Sequence, residues 1–333
     1  MGEKVSPPED VPPPAYGVRD HAPGAGSGAG NGGRSRPSNV PWRGVDVLWA
    51  IVLTISAVLF VMATPLLVGA TGDDGGTGLL TPLLLMLAAL ASAALVSRIA
   101  GVNLRLVGAV ALVASLLWLG AQGLADNGEE AQRVLGIPFN VILLAILSSL
   151  FIATALTFST SKYGASWRDL GFVSAGGISP YLLAIGAWLA AIFILGIWGI
   201  IVSALDIEAL NPPESARDLL DIADGSLIVA LLLVSVWVPV MEEVFFRGFA
   251  LAGLRRRFGG VSALVISSAI FAAFHTSVGA LVPTFVLGAA LGWVYLKTGS
   301  LWPSIFVHGL QNAIATVLAL PAVQEYIERM ANQ

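Results

Sequence analysis

Cysteine is absent from the 333 residues, which excludes disulfides, thiolate metal sites and a cysteine nucleophile. Charge is also scarce. Lys, Arg, Asp and Glu make up 11% of the chain against 56% hydrophobic residues, where a soluble domain carries about 25% charged residues. Mean hydropathy is +0.83. A soluble globular fold is thereby excluded, and an all-α polytopic membrane protein is expected, because a helix satisfies its own backbone groups in lipid. The net charge of -4 is small and gives no basis for nucleic-acid binding. No internal repeat is evident, which weighs against a transporter built from two related halves.

The first 42 residues lack apolar runs and are rich in Pro, Gly and Ser, as in "PPEDVPPPAY" and "APGAGSGAGNGG". Such a composition cannot bury enough surface to fold, so residues 1–42 read as a disordered tail. No signal peptide is expected, since no apolar run begins before Trp42. Pro13, Pro14 and Tyr16 spell P-P-x-Y, a pattern that WW-like domains bind as polyproline II. A chance match in so proline-rich a tail is the better reading.

From Val45 onward the sequence divides into apolar runs of about 20 residues, the length that crosses a bilayer core. They lie near 46–69, 79–97, 104–124, 139–159, 180–204, 226–254, 260–276, 280–297 and 301–320, which gives eight to nine transmembrane helices. With a cytoplasmic amino terminus, all 17 basic residues fall in inside segments except Arg133, Arg217, Arg329 and Arg247. The positive-inside rule therefore places the amino terminus in the cytoplasm and the carboxyl terminus outside. The plasma membrane is the expected location. Gly288 and Gly292 form G-x-x-x-G, a spacing that concerns helix packing and not chemistry.

A few polar residues interrupt these runs, and a charge at the centre of a spanning helix costs at least about 2.5–3.5 kcal/mol. Glu243 and Arg247 are four residues apart in the orientation that favours an ion pair. Glu242 points about 100° away around the helix, free for acid/base work. Pro239 removes a donor and should free the carbonyl of Ser235, with a kink near the carboxylates. His275 follows Phe271 by four residues, and His308 precedes Asn312 by four, with Gln311 on a neighbouring face. Alone, each histidine is more often an interfacial residue or interhelical glue. Depth changes that balance. At 1.5 Å per residue, Glu242 and His275 lie about 20 Å from the cytoplasmic helix ends, and His308 and Asn312 about 12–18 Å. Three helices thus bring polar groups to one layer.

E-E-x-x-x-R at Glu242, Glu243 and Arg247, F-x-x-x-H at Phe271 and His275, and H-x-x-x-N at His308 and Asn312 resemble the signature of the CPBP family. These are the CAAX-processing and bacteriocin-processing intramembrane proteases, also called the Abi family. The resemblance covers residues 226–320, and "WRDLGF" is similar to the segment such proteins carry ahead of their core. It implies motif-free helices over 43–178, a protease-like core over 179–320 and a short tail over 321–333. It further implies hydrolysis of a peptide bond in a membrane-embedded or lipidated protein. Glu242 and His275 match the groups that activate a water, and His308 and Asn312 match those that stabilise the oxyanion, with Glu243 and Arg247 in support. Poorly solvated carboxylates suit general-base work, and neutral donors in a low dielectric stabilise a developing oxyanion strongly.

Members are often named metalloproteases, and Glu242, His275 and His308 could supply three ligands to zinc. H-E-x-x-H is absent. The sequence requires no cofactor, and metal-free activation of water by Glu242 and His275 is favoured over zinc. Two other readings stay open: an ion- or proton-coupled transporter that uses the Glu/His cluster as a relay, and a non-catalytic membrane chaperone or immunity factor.

Overall fold

The computed structural model describes residues 40–69, 80–123, 133–134, 137–211 and 226–331. The P-P-x-Y motif lies outside them, as does most of the tail read over 1–42. The last residues of that tail are part of the fold. Val40 and Trp42 are buried, and Trp42 Nε1 donates to the Phe249 carbonyl at 2.8 Å.

Among the described residues the protein is helical apart from turns and one two-residue ladder, β1 (Arg133–Val134) with β2 (Ile137–Pro138). Helices α1 (Gly44–Gly69), α2 (Leu80–Ala100), α3 (Arg105–Gly123) and α4 (Phe139–Leu156) precede α5 (Ser179–Leu205). A helical rod follows over Leu227–Ala273. Its 47 residues would reach about 70 Å, more than twice a bilayer core of about 30 Å. Gly259, at φ 76° and ψ 179°, breaks the rod into α6 (227–258) and α7 (260–273). Next come α8 (Val278–Thr298), α9 (Trp302–Leu318) and α10 (Pro321–Ala331).

Each of the nine apolar runs coincides with one of α1 to α9 within a few residues. By length and hydropathy six helices qualify as spans, or seven if α9 and the start of α10, bent by 74°, are taken together. The count is lower because the rod is taken as one span and because Arg105–Gly120 is short. Helix α7 is short too, at 14 residues or about 21 Å. Large apolar side chains such as Phe193, Ile200, Ile228 and Val261 face outward. That pattern suits lipid and not water.

Helix α1 packs against α2, α3 and α4, and α4 joins this group to α6. Helix α8 packs against α5, α7 and α9. The core runs through this junction and is rich in aromatic rings, among them Phe158, Phe245, Phe246, Phe249 and Phe271. The "WRDLGF" turn docks on it. Leu170 is fully buried, Gly171 O accepts from Leu301 N at 2.9 Å, and Gly248 has no Cβ to strike the Leu170 carbonyl. Gly288 packs on Phe271 and Ser268, and Gly292 on Leu264 and Leu251, so both glycines of G-x-x-x-G sit in tight helix contacts. The segment read as a short tail is largely the helix α10. Its apolar Val323, Tyr326, Ile327 and Met330 recur at three- and four-residue steps beside a Glu325–Arg329 pair, the pattern of a helix lying along a membrane surface.

Candidate active site

Around Glu242 and Glu243 the helix α6 departs from ordinary α geometry, with π turns over Leu233–Trp237 and Val244–Leu251. The first has a local cause. Val238 N–H donates to Leu233 O, five residues back. In that register the next residue, Pro239, lacks the N–H that would reach Val234 O. Asn312 Nδ2 fills the vacancy, donating to Val234 O at 2.8 Å. The carbonyl freed by Pro239 is therefore that of Val234 and not of Ser235, because the register is π. Trp237 and Val238 keep helical dihedrals through this stretch. The Ser235 carbonyl instead lies where a Cβ on Gly309 would stand, so the α9 backbone approaches α6 directly.

Glu243 and Arg247 form a buried ion pair, Oε1 to Nη1 at 2.7 Å, with side-chain exposures of 0% and 2%. Two further contacts hold the guanidinium. Arg247 Nη2 donates to Gly288 O at 3.3 Å, and its Cζ lies 4.4 Å from the centroid of the Phe271 ring. The Glu243 carboxylate also receives His308 Nδ1 on Oε1 at 2.9 Å. A carboxylate only accepts, so Nδ1 carries the proton and a neutral His308 leaves Nε2 as an acceptor. Nε2 stands 3.7 Å from Glu242 Oε2, and Glu242 retains 14% exposure. Two acceptors at that separation do not bond each other. A water donating one hydrogen to each would join them.

His275 sits just past the end of α7, exposed, with Nδ1 donating to Phe271 O at 2.9 Å. Its Nε2 is turned away from that bond. Phe271 is the hub, with His275 at 4.8 Å and His308 at 5.9 Å between ring centroids, both edge-on. The structure therefore sets Glu242 beside His308, while the rings of His275 and His308 both pack edge-on with Phe271. Asn312 is bound to the α6 backbone, with one of its two amide hydrogens committed. Gln311 faces elsewhere and accepts from Trp188 Nε1 on α5 at 2.6 Å.

Zinc is not accommodated by this arrangement. Among the described residues no three of His, Cys, Asp and Glu gather closely enough to hold a metal. The Nδ1 bonds of His308 to Glu243 and of His275 to a backbone carbonyl leave Nε2 of each ring open to a ligand, so it is the separation of Glu242, His275 and His308, and not their tautomers, that keeps them from forming a three-ligand set.

Sequence reasoning missed three participants. Val234 O and Gly288 O are backbone groups without a residue-type signal. The Ser235 hydroxyl, buried and without a partner among the described residues, lies in the π turn that follows only from the local register. Gly309, directly after His308, was the one visible trace of the close helix contact.

Residues 224–314 match the family described as "Type II CAAX prenyl endopeptidase Rce1-like". Over 228 residues the chain is 27% identical to the Bacillus subtilis (strain 168) protein named "Putative membrane peptidase YdiL", covering 68% of this chain and 87% of that protein. No solved structure matches the chain.

Proposed function

We propose that the chain is a CAAX-protease-like intramembrane endopeptidase acting on a membrane-embedded or lipidated protein, a reading supported by the Rce1-like match over residues 224–314 and the similarity to a protein named as a membrane peptidase. The observation that carries this reading is the pair formed by Glu242 Oε2 and His308 Nε2, 3.7 Å apart. Glu242 is the general base. A water held between the two acceptors gives its proton to Glu242 as its oxygen attacks the scissile carbonyl carbon. Glu242 then passes that proton to the leaving nitrogen as the C–N bond breaks.

The remaining residues divide the other work. Glu243 and Arg247 fix the tautomer and orientation of His308. The second amide hydrogen of Asn312, and His275 packed against Phe271, are the candidates for contact with the oxyanion and the leaving group. This division differs from the one implied by the resemblance, in which His275 partners Glu242 and His308 partners Asn312.

The experiment is cleavage of membrane-anchored peptides by the purified protein in liposomes. Wild type should cleave while Glu242→Gln and His308→Ala do not. Cleavage retained by both variants would overturn the assignment.

A further inference from the structure

A second feature lies on the far side of α7. Helices α1, α6 and α7 enclose a cleft of about 420 Å³, lined by Leu48, Ile51, Leu254, Phe258, Ile266 and Ile270. Among the described residues its lining includes one cation, Arg257, and no anion. The Arg257 guanidinium lies 5.6 Å from the Phe258 ring centroid, at the end of α6 where Gly259 breaks the rod. Arg43, exposed, directly precedes the lining residue Gly44.

The acid close by in sequence is Asp46, and its charge is spent elsewhere. Asp46 is 1% exposed, with Oδ1 on Lys162 Nζ at 2.7 Å and Oδ2 accepting from Tyr163 Oη and the Arg43 amide. The cleft is therefore an apolar trough with Arg257 in its lining and an exposed Arg43 next in sequence to it.

We infer that this cleft binds an anionic phospholipid of the surrounding bilayer, with an acyl chain along α1 and α7 and the headgroup phosphate at Arg257 and Arg43. Basic pockets between helices at a membrane surface select anionic headgroups, and an apolar trough takes the chain. The preceding segment of the chain fits less well, since residues 1–39 are dominated by Pro, Gly and Ser. The inference does not depend on the peptidase reading. It has a bearing on it, because Ile270 immediately precedes Phe271, so the bound chain would brace the helix that carries the hub of the site.

The test uses the purified full chain, delipidated in neutral detergent and titrated with phosphatidylglycerol or phosphatidylcholine of the same acyl chains. Bound lipid is counted by native mass spectrometry. Wild type should prefer phosphatidylglycerol. Arg257→Ala should weaken its binding by about fivefold, the joint Arg43→Ala and Arg257→Ala variant should weaken it further, and raised salt should act in the same direction. Arg98→Ala, an exposed arginine on α2 outside the cleft, should change nothing. Ile51→Trp, which fills the trough, should lower binding of both lipids. Its melting temperature reports whether it folds, and Arg257→Ala decides the question if it does not. Equal affinity of wild type for the two lipids, or a loss in Arg98→Ala matching that in Arg257→Ala, would overturn the inference.

Discussion

His308 Nδ1 lies 2.9 Å from Glu243 Oε1, the oxygen that also receives Arg247 Nη1 at 2.7 Å. One carboxylate oxygen thereby fixes a cation on its own helix and an imidazole on another. Removing one member of a buried ion pair costs about 3–5 kcal/mol, because the partner charge is left uncompensated. Glu243→Gln and Arg247→Met should each lower the melting temperature sharply. Glu243→Met with Arg247→Met should recover part of the stability but not the activity, since His308 loses its anchor. Thermal unfolding and peptide cleavage on the same preparations check both halves.

Glu242 is the member of the cluster with partial exposure and, among the described residues, no ion-pair partner within hydrogen-bond distance. Glu242→Gln should reduce cleavage by at least about 100-fold, the lower end of general acid–base contributions, while leaving the melting temperature close to wild type. A variant that loses stability along with activity would place Glu242 among the structural residues.

Asn312 and Pro239 are coupled through Val234 O. Asn312→Ala should cost about 1 kcal/mol for the lost hydrogen bond. The cost should shrink when Pro239→Ala supplies a backbone N–H that can reach the same carbonyl. A double-mutant cycle on unfolding free energy measures the coupling, and strict additivity would refute it.

Gly309 and Gly196 offer a matched pair. A Cβ at Gly309 would collide with the Ser235 carbonyl, whereas one at Gly196 meets nothing within 4 Å. Gly309→Ala should destabilise by about 1–3 kcal/mol, the usual cost of overpacking, and should depress activity by displacing His308. Gly196→Ala should be neutral or slightly stabilising in its helix.

Metal dependence has a direct test. Because Glu242, His275 and His308 do not converge as ligands among the described residues, cleavage should persist in the presence of a strong chelator. Loss of activity restored by zinc would require that Glu242 and the Nε2 atoms of the two histidines draw together, a movement of the side chains or helices that the structure does not show.

The helices were legible from apolar run length alone, because lipid imposes one solution on the backbone. The Glu243–Arg247 pair was legible for a similar reason, since a four-residue spacing on one helix fixes proximity. The junction between His308 and Glu243 was not, because it depends on the depth and rotation of two helices 65 residues apart. The π turn over Leu233–Trp237 was also hidden. A proline announces a missing donor but not which carbonyl it leaves bare, and here the answer depended on a register shift of one residue. The burial of Val40 and Trp42 was hidden for a simpler reason: composition marks a segment that cannot fold alone, not one that a neighbouring core can bury.

The shortness of α7 bears on the supply of the second reactant. Local thinning of the bilayer would accommodate a helix of about 21 Å in a hydrocarbon layer of about 30 Å. Such thinning would draw the aqueous boundary inward at the end of α7, where His275 stands exposed. The proposed hydrolysis would consume one water per bond, and such a dimple would be the route by which the solvent itself becomes a substrate.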